Sequence, residues 1–214
     1  MSEANRRPLK SRGTAWAAAL TRQLAATSVT PNQISMASIV VGALAGGAFW
    51  LSADAGSWAR ALLLLAAALF MQLRLLCNLL DGMVAIEAGR SASDGAFWNE
   101  FPDRIADLFI LVGAGLAVGS IALGLAAAAF AILTAYVREH GRACGAPADY
   151  SGPMAKQQRM AALTLGALAA ATEPLWNTHP IVLKFVLWIV VIGSALTALR
   201  RAVRLVKHLR AVVR

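Results

Sequence analysis

Charge is what this sequence lacks. Charged residues make up 14% of its 214 positions against 58% hydrophobic, whereas soluble chains carry roughly 25% charged residues. That deficit excludes an ordinary soluble domain and indicates a membrane protein. Cysteine is nearly missing too, and Cys77 and Cys144 alone cannot staple a small secreted fold. With no His or Cys pair read as a soft-ligand site, zinc is not expected. No cleavable leader is legible, because Arg6, Arg7, Lys10 and Arg12 are followed by a segment broken by Arg22 and Gln23.

What is present is a series of long apolar runs. A spanning helix needs about 20 mostly apolar residues, and 34–53 and 58–80 meet that length, the second interrupted by Gln72 and Arg74. Between Asp107 and Arg138 no charge occurs, which is too long a gap for one span. Joined to 101–107, the region holds two helices that turn at Gly119 and Ser120. Two more spans, about 155–173 and 180–199, make six. Gly42 with Gly46, and Gly115 with Gly119, read as close helix-packing patterns.

Lysine and arginine number 20 against 11 acids, a net charge of +9, and their placement follows topology. Arg6, Arg7, Lys10, Arg12 and Arg22 precede the first span, Arg138, Arg142, Lys156 and Arg159 lie between the fourth and fifth, and six more close the chain from Arg200 to Arg214. Only Arg60 and Lys184 fall on the other side. Short cytoplasmic loops are enriched in such residues, so both termini are expected in the cytoplasm and nucleic-acid binding is not. A single helix over 108–137 would break this distribution. Trp50, Trp58 and Trp176 then gather at the outer interface. Trp16, Leu20 and Leu24 recur every four residues, as in an interfacial amphipathic helix; a solvated leader is the plainer alternative. The expected organisation is a leader and interfacial helix (1–33), a six-span all-α membrane domain (34–200) and a basic tail (201–214) lying along an anionic surface.

Of the eleven acids, Asp81, Glu87, Asp94, Glu100, Asp103 and Asp107 fall within one short stretch. Asn78 and Asp81 share a helix face, and Asn99, Asp103 and Asp107 form a stripe at four-residue spacing. Two antiparallel helices would bring the stripes together as hard oxygen ligands, for which Mg2+ or Mn2+ is the expected ion. The competing reading is that Arg74 or Arg104 neutralises Asp103 and the other acids sit in water. Ionisable groups within a span cost about 2.5 to 3.5 kcal/mol each even on the lenient insertion scale, so two acids one turn apart favour a site.

This region resembles the signature of the CDP-alcohol phosphotransferases, membrane enzymes with the pattern D-x2-D-G-x2-A-R-x8-G-x3-D-x3-D. Asp81-Gly82-Met83-Val84-Ala85 matches its centre and Asp103-Arg104-Ile105-Ala106-Asp107 its end, while Thr30-Pro31-Asn32 is similar to a short element preceding the first span of many members. Asn78 replaces the first aspartate and Ile86 the arginine. Two registers remain open. Strict spacing aligns Gly95, Asn99 and Asp103 with the closing residues; four extra residues align Asn99, Asp103 and Asp107 instead, and this second register is preferred because it keeps both acids.

The resemblance implies transfer of a phosphatidyl or similar group from a CDP-diacylglycerol-like donor to an alcohol, with release of CMP, by a cytoplasm-facing site in the inner membrane, in a homodimer. It implies Asn78, Asp81, Asp103 and Asp107 as ligands of Mg2+ or Mn2+, Asp107 as the base, and Gly82 and Ala85 at the nucleotide, with Arg90 standing in for the missing arginine. Arg138, Arg142, Lys156 and Arg159 are expected to bind a phosphorylated acceptor, arginine forks being suited to phosphate oxygens; positive-inside placement accounts for them equally. His140 and His208 read as solvated and Cys77 as packing. A small transporter whose intramembrane acids bind a carried cation, and a catalytically silent relative, are the alternatives.

Overall fold

A computed structural model describes residues 14–87, 89, 94–176 and 181–212. Seven helices account for its regular structure: α1 (Ala15–Ala25), α2 (Pro31–Leu51), α3 (Ser57–Glu87), α4 (Gly95–Ala117), α5 (Ile121–Ala143), α6 (Lys156–Ala171) and α7 (Ile181–Val212), with a 3-10 turn at Glu173–Leu175. No strand occurs among the described residues. Helices α2, α3, α5 and α7 are long and apolar enough to cross a membrane, which makes this a multi-pass membrane protein. α4 and α6 do not stand out in the same way. α4 carries Glu100, Asp103, Arg104 and Asp107, and α6 has 16 residues, short of the usual span.

The six long helices close into a ring in the order α2, α4, α5, α7, α6, α3, each packing on the next and α3 on α2. α3 and α4 touch little directly. The two polar stripes therefore do not meet along a shared helix seam, as expected from sequence, but across the interior of the ring beside α2. The apolar core lies below them, with Phe49, Leu64, Met71, Ile110, Leu111, Met160, Leu163, Leu183 and Leu187 all fully buried.

Local chemistry sets the helix boundaries. Thr30-Pro31-Asn32-Gln33 starts α2 as a capping box: Thr30 Oγ1 accepts from the Gln33 N–H at 3.2 Å and Gln33 Oε1 from the Thr30 N–H at 2.9 Å, with Pro31 at the first helical position, where its missing donor costs nothing. α2 meets α4 through glycine. A Cβ on Gly42 would lie 2.7 Å from Ala106 Cβ, and one on Gly113 2.2 Å from the Gly46 carbonyl oxygen, so the backbones themselves are in contact, as the first small-residue pattern predicts. The second pattern needs correction. Gly115 packs on Gly124 of α5, where a Cβ would lie 2.6 Å from Gly124 Cα, while Gly119 adopts φ +68° to make the turn. This is the turn expected at Gly119 and Ser120, and the Ser120 hydroxyl caps α5 by accepting from the Leu123 N–H.

α1 packs on α3, with Leu20 and Leu24 against Ile34, Leu80 and Val84. Trp16 stays 54% exposed, so the predicted apolar stripe divides between protein contact and surface. Trp50, Trp58 and Trp176 are exposed at the end of the ring where α2 ends and α3 begins. There Arg60 donates to the carbonyl of Ser52 at 3.1 Å and lies 3.7 Å from buried Glu173. α7 runs unbroken through the boundary expected at residue 200. Arg201 is buried, and its guanidinium donates to the carbonyls of Thr134 and Ser151, so the first turn of the expected tail belongs to the bundle. Leader residues 1–13 lie outside the described residues.

Candidate functional site

The stripes converge at the end of the ring where α2 begins and α3 ends. On α3, Arg74, Asn78 and Asp81 follow one another at spacings of four and three, so they share a face. Asn78 Nδ2 donates to Asp103 Oδ1 of α4 at 2.7 Å. Asp81, one turn on, is held by neutral donors: the Ser35 hydroxyl of α2 at 2.7 Å and the Gly82 N–H at 2.5 Å. Asp81 is 7% exposed, and among the described residues it forms no ion pair. A buried carboxylate without a counter-charge is costly, so this position suits a cation.

Asp103 and Asp107 are in the opposite condition. Arg74 Nη2 lies 3.0 Å from Asp103 Oδ1 and 2.6 Å from Asp107 Oδ1. Arg159 of α6 donates to Asp107 Oδ2 at 2.7 Å. Lys156, the first residue of α6, pairs with Asp103 Oδ2, which Arg104 also approaches at 3.6 Å. The neutralisation of Asp103 by Arg74 and Arg104, the competing sequence reading, is thus realised and extended by Lys156. Among the described residues no three His, Cys, Asp or Glu side chains converge as a metal-binding group.

The basic cluster continues the same chain of charges. Glu100 pairs with Arg138 and, at 3.4 Å, with Arg104, and Glu139 receives Arg138 and Arg142, each at 2.8 Å. Arg138 also lies over the Tyr150 ring, 5.1 Å from its centroid. The four basic residues expected to bind an acceptor are therefore one network with the acids, each with an acidic partner, and not a separate pocket. Among the described residues Arg74, Arg104, Lys156, Arg159, Arg138 and Arg142 face Asp103, Asp107, Glu100 and Glu139, and with Asp81 counted the site has six cations to five acids. Nε and Nη1 of Arg74 and Nε of Arg159 are buried without a hydrogen-bond partner among the described residues. Unsatisfied buried donors are expensive.

The remaining candidates fall as follows. Gly82 borders open space, since a Cβ there would meet nothing within 4 Å, and Ala85 is half-buried. Asn99 is exposed, one turn before Asp103. Arg90 lies outside the described residues. Asp94 accepts from Asn32 Nδ2 at 3.4 Å and from Trp98 Nε1 at 2.8 Å, tying the start of α4 to the start of α2. His140 does have a cysteine neighbour, with Cys144 Sγ 3.8 Å from its Nε2, a pairing their four-residue spacing allows. The connection to α6 is anchored on α7, where Arg204 reaches Ser151 and Asp149. Partial burial raises the Asp149 carboxyl, but hydrogen bonds from Ser151 and Arg204 outweigh it and hold the group below its ordinary range. Ser35 was not singled out from sequence, though its place four residues after Pro31 puts it on the same side of α2 as the cap.

No protein-family profile matches the chain. It is 29% identical over 149 residues to the inner membrane protein YnbA of Escherichia coli, covering 69% of this chain and 71% of that protein. It is 29% identical over 137 residues to phosphatidylinositol phosphate synthase of Streptomyces avermitilis, covering 59% of this chain and 55% of that protein. The fold is that of the phosphatidylinositol phosphate synthase of Mycobacterium tuberculosis. With CDP-DAG bound, that structure superposes with a TM-score of 0.75 at 19% identity over 90% of this chain and 94% of the other. The same enzyme in complex with manganese and citrate gives 0.73 at 19% identity over 88% of each.

Proposed function

We propose that the chain is a six-span CDP-alcohol phosphotransferase, with both termini and the site facing the cytoplasm. In this reading it moves a phosphatidyl or similar group from a CDP-linked lipid to an alcohol phosphate and releases CMP, working as a homodimer in the inner membrane. The observation that carries this reading is the Asn78 to Asp103 hydrogen bond at 2.7 Å. It joins the two halves of the signature across the ring, with Asp81, which forms no ion pair among the described residues, one turn away. The fold shared with an enzyme crystallised with CDP-DAG supports it.

The geometry favours the strict register. Both oxygens of Asp103 and of Asp107 are engaged by cations, but Asp107 is 1% exposed against 7% for Asp103, so it is the worse placed to take a proton from a substrate. Asp103, one turn nearer the helix start and next to Asn78, is the better base, and Asn99 then occupies the preceding motif position. In this reading Asp103 takes the role of base that the sequence pattern assigns to Asp107. Asp107 becomes the anchor that holds Arg74 and Arg159.

The donor set fits a divalent ion at Asp81. Asn78 gives its amide N–H to Asp103, so its carbonyl oxygen remains as a ligand, and among the described residues no cation pairs with Asp81. When bound there, Mg2+ or Mn2+ supplies charge neutralisation at the diphosphate. The chain's own residues do the rest. Gly82 leaves room for the nucleotide to approach α3. Asp103 accepts the acceptor's hydroxyl proton, directly or through one water. Arg138 and Arg142, with the cation excess around them, hold the acceptor phosphate. Of the acids that the cation-transporter alternative needs, Asp103 and Asp107 are already neutralised by residues of the chain and Asp81 alone is left.

Purified protein given CDP-diacylglycerol and Mn2+ with a panel of alcohols and alcohol phosphates tests the reading. CMP is expected with at least one alcohol phosphate. CMP formed with none of them would sink the proposal, and ion flux in liposomes in its place would favour the transporter.

A further inference from the structure

We infer that Lys156 takes the place of one of the two cations that usually serve displacement at a diphosphate, so that the chain holds a single divalent ion. The inference rests on the transferase reading above and adds to it the composition of the centre. Two-ion sites clamp both the attacking and the leaving oxygen. Two dications bring four positive charges, which the protein must largely balance. Here the signature supplies Asp81 and Asp103, with neutral Asn78 and Asn99 at its other two positions, and Asp107 is bound to Arg74 and Arg159. Such a set fits one dication, and it does not fit two.

The second position already contains a cation. Lys156 sits on the outer oxygen of Asp103, Oδ2, with its side chain 16% exposed. Arg74 reaches the Oδ1 atoms from within and is 0% exposed. Lys156 shares this open side of the carboxylate with Arg104, 3.6 Å from the same oxygen, but Lys156 is the cation in direct contact, where a phosphate would arrive. Its location is unusual for helix chemistry: it is the first residue of α6, where the positive end of the macrodipole disfavours an ammonium. Its setting is firmly built. Met154 N–H donates to Thr197 Oγ1 at 2.9 Å, Gly193 and Gly152 admit Met154 and Thr197 so closely that a Cβ would clash at 2.9 and 2.4 Å, and Ala155 is buried. The turn before α6 thus fixes an ammonium against Asp103, while among the described residues no cation forms an ion pair with Asp81.

Counting bound Mn2+ by electron paramagnetic resonance on purified protein in detergent tests this without relying on catalysis. The wild type is expected to bind about one Mn2+ per chain, and Lys156→Gln combined with Asn78→Asp about two. Lys156→Arg should keep the count at one. A wild-type count of none or two overturns the inference, as does a folded double variant with the wild-type count. Folding is checked by monodisperse elution and helical circular dichroism, and the wild-type count decides if the double variant fails that check. CMP assays on the same samples separate the two levels: absence of CMP from every sample removes the transferase reading, while the ion counts still report on Lys156.

Discussion

Arg159 of α6 donates to Asp107 of α4 at 2.7 Å, and both side chains are 1% exposed. A charge pair so far from water holds two helices in register more than it serves chemistry, and removing one partner of such a pair costs about 3 to 5 kcal/mol. Asp107→Asn is therefore expected to lower the melting temperature in detergent strongly, with a smaller loss of kcat per folded molecule. Asp103→Asn should lose about 10² to 10⁴ in kcat, as removal of a base does, with a modest change in melting. Reversal of these two patterns would restore the register ending at Asp107.

Two glycines in the same bundle should respond oppositely to one methyl group. At Gly113 the added carbon would lie 2.2 Å from a backbone oxygen of Gly46, whereas at Gly82 it would meet nothing. Gly113→Ala is expected to reduce the yield of folded protein and lower its melting temperature. Gly82→Ala should fold like the wild type and raise the KM for the CDP-linked donor. Unchanged donor kinetics in Gly82→Ala would remove the nucleotide from that face of α3.

Arg138 is bound by Glu100 and Glu139 and stacks over Tyr150, so an arriving phosphate must replace at least one acid. Arg138→Ala should raise the KM for a phosphorylated acceptor about tenfold or more, a charge-assisted bond being worth about 1.5 to 3 kcal/mol, and leave the donor KM nearly unchanged. Steady-state CMP release with each substrate varied in turn provides the measurement. An equal rise in both constants would count against Arg138 as a contact of the acceptor phosphate.

At the far end of the ring, Arg60 ties Ser52 to Glu173, and Glu173 Oε1 accepts from the Val182 N–H at 3.1 Å. Glu173→Gln is expected to destabilise the fold, because it leaves Arg60 without its counter-charge, while kcat and both KM values of the surviving protein stay near wild type. Thermal melts alongside CMP assays would expose any link between this end and the site.

Much of this architecture is legible in the amino-acid order. The turn at Gly119, the capping of α2 by Thr30 and Gln33, the close approach at Gly42 and Gly46, and the shared face of Asn78 and Asp81 all follow from local spacing, which a linear pattern records. What spacing cannot record is which cation crosses the ring to which acid. Lys156 lies 53 positions from Asp103, and Arg159 lies 52 from Asp107, so two residues read as acceptor ligands are partners of the acids. Arg74 was closer to reach: four residues before Asn78 on the same helix face, it extends that stripe inward. Ser35 gave less warning, since a lone serine in an apolar helix usually bonds its own backbone.

The contact of bare backbones at Gly46 and Gly113 leaves no compressible layer between α2 and α4, so the pair moves as one stiff plank. Any widening of the ring has to come from another wall, such as the one where α3 and α6 meet through long side chains like Gln72, which reaches Thr164 at 2.8 Å. That is the wall carrying Lys156 and Arg159, and any breathing of it would loosen the cations from Asp103 and Asp107 at the moment a guest enters.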